Sequence, residues 1–241
     1  MRKALIAFVA AIAVTVAVPV FAGATSNHAL RHGPIHKLTN STSTNWSGYA
    51  ATGKRFTSVS ASWTEPMAIC SGGTAYSSFW VGLDGDTSST VEQTGSSADC
   101  TSSNTPSYYA WYEMYPKYPT NLSSPVKPGD QFTASVVTDG VGRFTLTISD
   151  TTQKWTYQTT QRLKSAALAS AEVIAEAPSS RSGVLPLTNF GTVNFSNAAA
   201  NGAPLSTFNP DRIDMVSGST IKAQTGSISS SGSFSVTWKH S

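Results

Sequence analysis

From Asn45 onward, apolar and polar residues alternate for five to eight positions and then break at a Gly, Pro, Asp or Asn. This is the pattern of antiparallel strands with one buried face. VSASW sets Val59, Ala61 and Trp63 on one side of a strand. FTASVVT and RFTLTIS flank Asp139-Gly140-Val141-Gly142, which predicts a hairpin, and the run from Lys154 to Tyr157 follows a further turn at Asp150. SFSVTW closes the series near the C-terminus. Only QRLKSAALASA, Gln161 to Ala171, departs from the theme, as a short helix or an irregular link. Many short strands in one domain predict an all-β sandwich or barrel.

Two stretches place unusual side chains on this frame. In ASAEVIAEAPSS, strand alternation turns Ala171, Val173 and Ala175 one way and Glu172, Ile174 and Glu176 the other. Two solvated glutamates are the ordinary outcome of such a strand, but Ile174 between them and the scarcity of charge elsewhere point to a lined cleft. In YYAWYEMYP, Tyr109, Trp111, Glu113 and Tyr115 share one face and alternate with further aromatics. That exceeds what one buried face needs, so one side is expected to line a groove for an extended polymer.

The first 24 residues read as a secretory signal peptide: Arg2 and Lys3, an apolar run from Ala4, then small residues at Ala22 and Ala24. Residues 25–44 read as a polar leader or short pro-segment, and residues 45–241 as a single domain. The leader holds His28, His32 and His36, but Gly33-Pro34 interrupts any helix that would align them on a metal. It is basic and gains charge below the imidazole pKa of roughly 6.5. No later segment is long and apolar enough to span a bilayer, so an exported, extracellular protein is expected.

Composition then narrows the chemistry. Only 12% of residues are charged while 39% are hydrophobic. Four of the 16 basic residues precede Leu38, which leaves twelve against 13 acidic ones and a body near neutrality. No basic patch interleaved with aromatics is present to track phosphates, so nucleic acid is not expected as a partner. Export makes a disulfide between Cys70 and Cys100, the only two cysteines, the expected state. It would close a loop of about 30 residues and add roughly 3 to 4 kcal/mol. Three of the four histidines lie in the leader and the fourth, His240, is penultimate. Triads, Cys-His pairs and zinc sites all need an imidazole inside the domain, so acid-base work falls to carboxylates.

Asn45-Trp46-Ser47-Gly48, Trp80-Val81-Gly82-Leu83-Asp84-Gly85, Gln93-Thr94-Gly95, Tyr108 to Pro116, Ala171-Glu172 through Glu176, and Phe190-Gly191-Thr192-Val193 occur in that order. Together they resemble the glutamic peptidases, or eqolisins (peptidase family G1), over most of the mature chain. The resemblance implies a lectin-like (concanavalin-like) sandwich of two antiparallel sheets with a glutamine and a glutamate as the catalytic pair. Carried over by motif, these are Gln93 and Glu176, with Trp46, Trp80, Asp84 and Glu113 at cleft positions beside Tyr109 and Trp111. Tyr109 stands where an aspartate is common, and Glu92 replaces an apolar residue before the glutamine.

The expectation is therefore a monomeric, secreted acid endopeptidase acting on polypeptides without metal or cofactor. Glu176 would take a proton from water, and Gln93, with both a donor and an acceptor, would orient that water and meet the oxyanion. A glycoside hydrolase using Glu172 and Glu176 is the rival enzyme, although their Cα atoms would be roughly 13 Å apart on an extended strand. A lectin-like module that binds glycan or peptide without cutting it is the third reading.

Overall fold

The computed structural model describes residues 30–32, 37–38, 42–86 and 88–241. The signal peptide and most of the leader lie outside the described residues.

Two antiparallel sheets make up the domain. In the first, the strands run in the order Asp211–Ser217, Trp46–Ala51, Ala171–Glu176, Ser78–Leu83, Val91–Cys100, Pro106–Tyr115 and Thr120–Asn121. In the second, the order is Thr220–Thr225, Phe234–Trp238, Thr192–Ala200, Ser58–Thr64, Gln131–Thr138, Arg143–Asp150 and Trp155–Arg162. The strand Asp211–Ser217 joins the two, pairing with Trp46–Ala51 through its first half and with Thr220–Thr225 through its second.

The facing sides of the sheets enclose one core. Phe79, Val81, Leu83, Val173 and Ala175 contribute from the first sheet, and Val59, Trp63, Phe132, Phe144, Ile148 and Phe195 from the second. Each large side chain taken from water here contributes about 1.5 to 3 kcal/mol. On the second sheet the expected alternation holds: Gln131–Thr138 and Arg143–Asp150 bury every other residue. The central strands of the first sheet are instead buried on both faces. Trp46, Ala50, Trp80, Val91, Trp111, Ile174 and Ile213 form a second apolar cluster on the side turned away from the core. That second cluster is the floor of the candidate site.

Val59, Ala61 and Trp63 are buried on one face. The hairpin forms at Asp139, whose carboxylate accepts from the backbone N–H of Val141 and Arg143. Cys70 and Cys100 are disulfide-bonded, with Cα atoms 5.4 Å apart. QRLKSAALASA resolves into the end of a strand and an irregular link with no helix. Its local helix propensity loses to tertiary partners, because the N–H groups of Leu168 and Ala169 donate to the Asp84 carboxylate at 2.8 and 2.7 Å. Leu168 itself has φ of 55°, which a helix does not accommodate.

Candidate active site

Glu172, Ile174 and Glu176 project from the face of the first sheet that carries the second apolar cluster, while Ala171, Val173 and Ala175 point into the core. Antiparallel register sets the neighbours. Glu176 lies opposite Trp46 on one side and Ser78 on the other. Ile174 lies opposite Trp80, and Gly82 stands between Glu172 and Gln93, which in turn faces Glu113. Residues directly across from one another point the same way, so one face gathers both glutamates, the glutamine, Glu113 and the tryptophans.

Two glycines make the gathering sterically possible. A Cβ on Gly82 would stand 2.9 Å from the Trp80 ring and 3.1 Å from Gln93 Cβ. A Cβ on Gly95 would stand 2.3 Å from the carbonyl oxygen of Phe79 and 2.6 Å from Trp80 Cβ. Gly82, on the same strand, thus leaves room for the Trp80 ring, and Gly95, on the neighbouring strand, lets the backbone at Phe79 and Trp80 approach closely. It meets Trp46 edge to face, with centroids 5.1 Å apart.

Glu176 is fully buried, and the side chains of Trp80 and Asn45 donate to it. Trp80 Nε1 donates to Oε2 at 2.7 Å, and Asn45 Nδ2 donates to Oε1 at 3.1 Å. Both bonds fix the orientation of the carboxylate. Gln93 is equally buried; its Nε2 donates to Glu113 Oε2 at 3.1 Å and to the backbone carbonyl of His32 at 2.7 Å. Gln93 Oε1 has no hydrogen-bond partner among the described residues. Burial, then the Glu176 charge, pushes the Glu113 carboxyl up to about 9, so it stays neutral in acid and at neutrality.

The other candidates divide. Trp46, Trp80, Trp111 and Glu113 line the same face as Gln93 and Glu176. Tyr109 packs beside that cluster, and its hydroxyl donates to Asp99 Oδ2 at 2.8 Å. Asp84 is not brought to the pair: its carboxylate is engaged by the backbone of Leu168 and Ala169. Glu172 is buried with no close hydrogen bond to either carboxyl oxygen among the described residues, and burial raises its pKa well above the ordinary carboxylate value. Glu92 sits on the opposite, core-facing side, where burial pushes it up to about 8. Two participants escaped sequence reasoning. Asn45 was visible only as part of the N-W-S-G run, and His32, assigned to a pro-segment or flexible leader, is 1% exposed with its ring stacked on Trp111.

A two-sheet antiparallel sandwich with a buried glutamine and glutamate on one tryptophan-lined face has the architecture expected of a glutamic peptidase. The Peptidase A4 family model matches residues 44–238, and the chain belongs to that family. It is 30% identical to Aspergillopepsin-2 of Aspergillus niger over 182 residues, 66% of this chain and 64% of that protein. It is 38% identical to Scytalidopepsin B of Scytalidium lignicola over 114 residues, 46% of this chain and 42% of that protein. The chain thus spans less than two thirds of the length of these two curated relatives. The fold is similar to that of scytalido-glutamic peptidase, solved with a transition state analog inhibitor, at a TM-score of 0.71 and 24% identity, covering 81% of this chain and 98% of that one.

Proposed function

We propose that this protein is a secreted endopeptidase that hydrolyses polypeptides in acidic medium through Gln93 and Glu176. The observation that carries the reading is their convergence on one peptide residue: Gln93 Nε2 holds the carbonyl oxygen of His32 at 2.7 Å while Glu176 Oε2 lies 3.7 Å from the same residue's Nδ1.

Glu176, held in place by Trp80 and Asn45, removes a proton from a water as its oxygen attacks the carbonyl carbon. Gln93 Oε1 accepts from that water, and Gln93 Nε2 donates to the oxygen that becomes negative. A preorganised donor at an oxyanion is worth about 2.7 to 4 kcal/mol of barrier. As the tetrahedral species collapses, the C–N bond breaks and Glu176 returns its proton to the leaving nitrogen, giving a carboxylic acid and an amine. Glu172 is less suited to the base role, because burial raises its pKa well above the ordinary carboxylate value. This weighs against the glycosidase reading too, which needs both carboxyl groups active.

The test is to purify Glu176→Gln and Gln93→Ala, verify by circular dichroism that each is folded, and assay release of peptides from acid-denatured protein. Both variants should lose activity by roughly 100-fold or more. Wild-type rates in either would overturn the assignment.

A further inference from the structure

Positive charge that is scattered along the chain gathers at one end of the sandwich. Lys54 and Arg55 follow the strand Trp46–Ala51, Arg143 opens the strand Arg143–Asp150, Arg162 ends the strand Trp155–Arg162, and Lys164 lies in the link after it. These are five of the twelve basic residues beyond Leu38, on a body near neutrality, and all five are exposed. The Arg55 guanidinium donates to the carbonyl of Gly140 at the tip of the Asp139 hairpin. The Leu163 N–H donates to the Gly142 carbonyl at 2.9 Å, which brings Lys164 beside the same tip. Arg143 lies directly across from Arg162. One carboxylate reaches the group, with Asp139 Oδ2 3.8 Å from Arg143 Nε. Among the described residues, Lys54, Arg55, Arg162 and Lys164 have no carboxylate within ion-pair distance. Like charges facing each other across neighbouring strands are destabilising, so an anion seated over Arg143 and Arg162 would relieve a repulsion built into the sheet.

The same two strands continue the surface. On the side turned away from the core, Thr145 lies across from Thr160, Thr147 from Gln158 and Ser149 from Thr156. Beside Thr147 a shallow groove is lined by Ser60, Ser62, Thr133, Ser135 and Asn197, whose side chains have no hydrogen-bond partner among the described residues. From Arg143 to Ser149 this face runs about 20 Å along the strand, long enough for an extended polymer.

We propose that the basic end and the hydroxyl-lined face beside it form a docking surface for an acidic polysaccharide. Its anionic groups pair with Arg55, Arg143, Arg162 and Lys164, and its sugar hydroxyls hydrogen-bond the serines and threonines. Guanidinium forks match the paired oxygens of such anions. Single-stranded nucleic acid is instead gripped by aromatic rings on which bases stack. The ring at this end, Phe208, is packed edge to face on Phe56 with the Lys54 ammonium 5.6 Å from its centre. The surface belongs to the second sheet and the tryptophan-lined cleft to the outer face of the first, so a docked enzyme keeps its cleft open. The inference is independent of the Gln93 and Glu176 reading.

The experiment measures binding of the full secreted chain to immobilised dextran sulfate, to uncharged dextran and to oligodeoxythymidylate at about pH 5, where lysine and arginine are fully charged. One variant combines Arg143→Ser, Arg162→Ser and Lys164→Ser; a control combines Lys127→Ser, Arg212→Ser and Lys239→Ser, which removes the same charge elsewhere. The wild type should bind dextran sulfate, release it as salt is raised, and leave dextran unbound. The first variant should lose at least about tenfold in affinity for dextran sulfate while the control binds as the wild type does. The oligonucleotide should bind the wild type at least about tenfold more weakly than dextran sulfate does. Arg162→Thr alone should keep or raise the melting temperature, because it removes one of two facing like charges. No binding to dextran sulfate, equal losses in the two triple variants, or equal affinity for the oligonucleotide would overturn the docking surface. So would a lower melting temperature in Arg162→Thr, which would show that the arginine pair serves the fold.

Discussion

Glu113 and Gln93 face each other across neighbouring strands, with Glu113 Oε2 accepting from Gln93 Nε2 at 3.1 Å. Because burial holds the Glu113 carboxyl up to about 9, this partner is uncharged where the enzyme would work and does not compete with Glu176 for the role of base. Its contribution is to fix which way the Gln93 amide points.

Glu113 should therefore tolerate the neutral isostere better than truncation. Glu113→Gln retains an acceptor for the Gln93 amide and is expected to keep most of kcat. Glu113→Ala leaves the amide free to rotate and should lower kcat by roughly 100-fold, the scale of a mispositioned catalytic group. Steady-state kinetics on a peptide substrate separates the two, and equal activities would show that Glu113 does not orient Gln93.

Asn45 and Trp80 hold the two oxygens of Glu176 from opposite sides. A hydrogen bond to a charged group contributes about 1.5 to 3 kcal/mol, so Asn45→Ala should cost roughly tenfold to 100-fold in kcat. Asn45→Asp should cost more, since it replaces a donor with a second carboxylate. Activity assays on variants of matched thermal stability check the order, and an inactive Ala variant beside an active Asp variant would contradict it.

How far the sequence disclosed this site depended on where each signal lay. Strand alternation was enough to place Glu172 and Glu176 on one face and Glu92 on the other side from Gln93, because period-two geometry is local. The ranking of Glu176 over Glu172 was not local: it rests on Trp80 and Asn45, which reach Glu176 from positions 96 and 131 residues away in the chain. His32 was invisible for a similar reason. Its neighbours in sequence are polar and lack a pattern, and only a contact with Glu113, 81 residues on, gives it a place. The all-β sandwich was legible because strand after strand repeats one rule, whereas the doubly buried first sheet shows up as uninterrupted burial that alternation alone does not anticipate.

Asp84, a cleft position by motif, serves in the structure as a backbone clamp. Its two oxygens accept from Leu168 and Ala169 just before the strand that carries Glu176. Asp84→Asn replaces one acceptor with a donor aimed at an N–H, and the expected cost is roughly 2 to 3 kcal/mol of stability. KM for peptides should stay unchanged in the folded fraction. Urea denaturation alongside kinetics tests this, and a raised KM at full stability would restore Asp84 to substrate binding.

The Cys70–Cys100 bridge closes a loop that contains the strands bearing Trp80 and Gln93. A double Cys→Ala variant should lose roughly 3 to 4 kcal/mol. The midpoint of urea denaturation measures it, and an unchanged midpoint would mean the reduced chain is already as constrained as the bridged one.

Stability should decline as pH rises, and the sign follows from buried carboxyls whose folded pKa values are raised. Burial pushes Glu65 up to about 8, Glu92 up to about 8 and Asp99 up to about 7. In the unfolded chain the same groups titrate at about 3.9 to 4.3. Between those values the folded protein binds more protons than the unfolded one, so the free energy of unfolding falls with increasing pH. The stabilisation is complete below about pH 4 and is lost progressively as pH climbs through 7 and 8. Glu65 is the cleanest probe: it lies in the interior, where the Ser96 hydroxyl donates to Oε2, the Trp63 indole N–H donates to Ser96 Oγ at 2.9 Å, and Oε1 has no partner among the described residues. Glu65→Gln substitutes a group that stays neutral at every pH. The melting temperature of the wild type, followed from pH 4 to pH 8, should drop steadily, and that of the variant should drop less steeply. Parallel slopes for the two proteins would place the loss of stability in some other group.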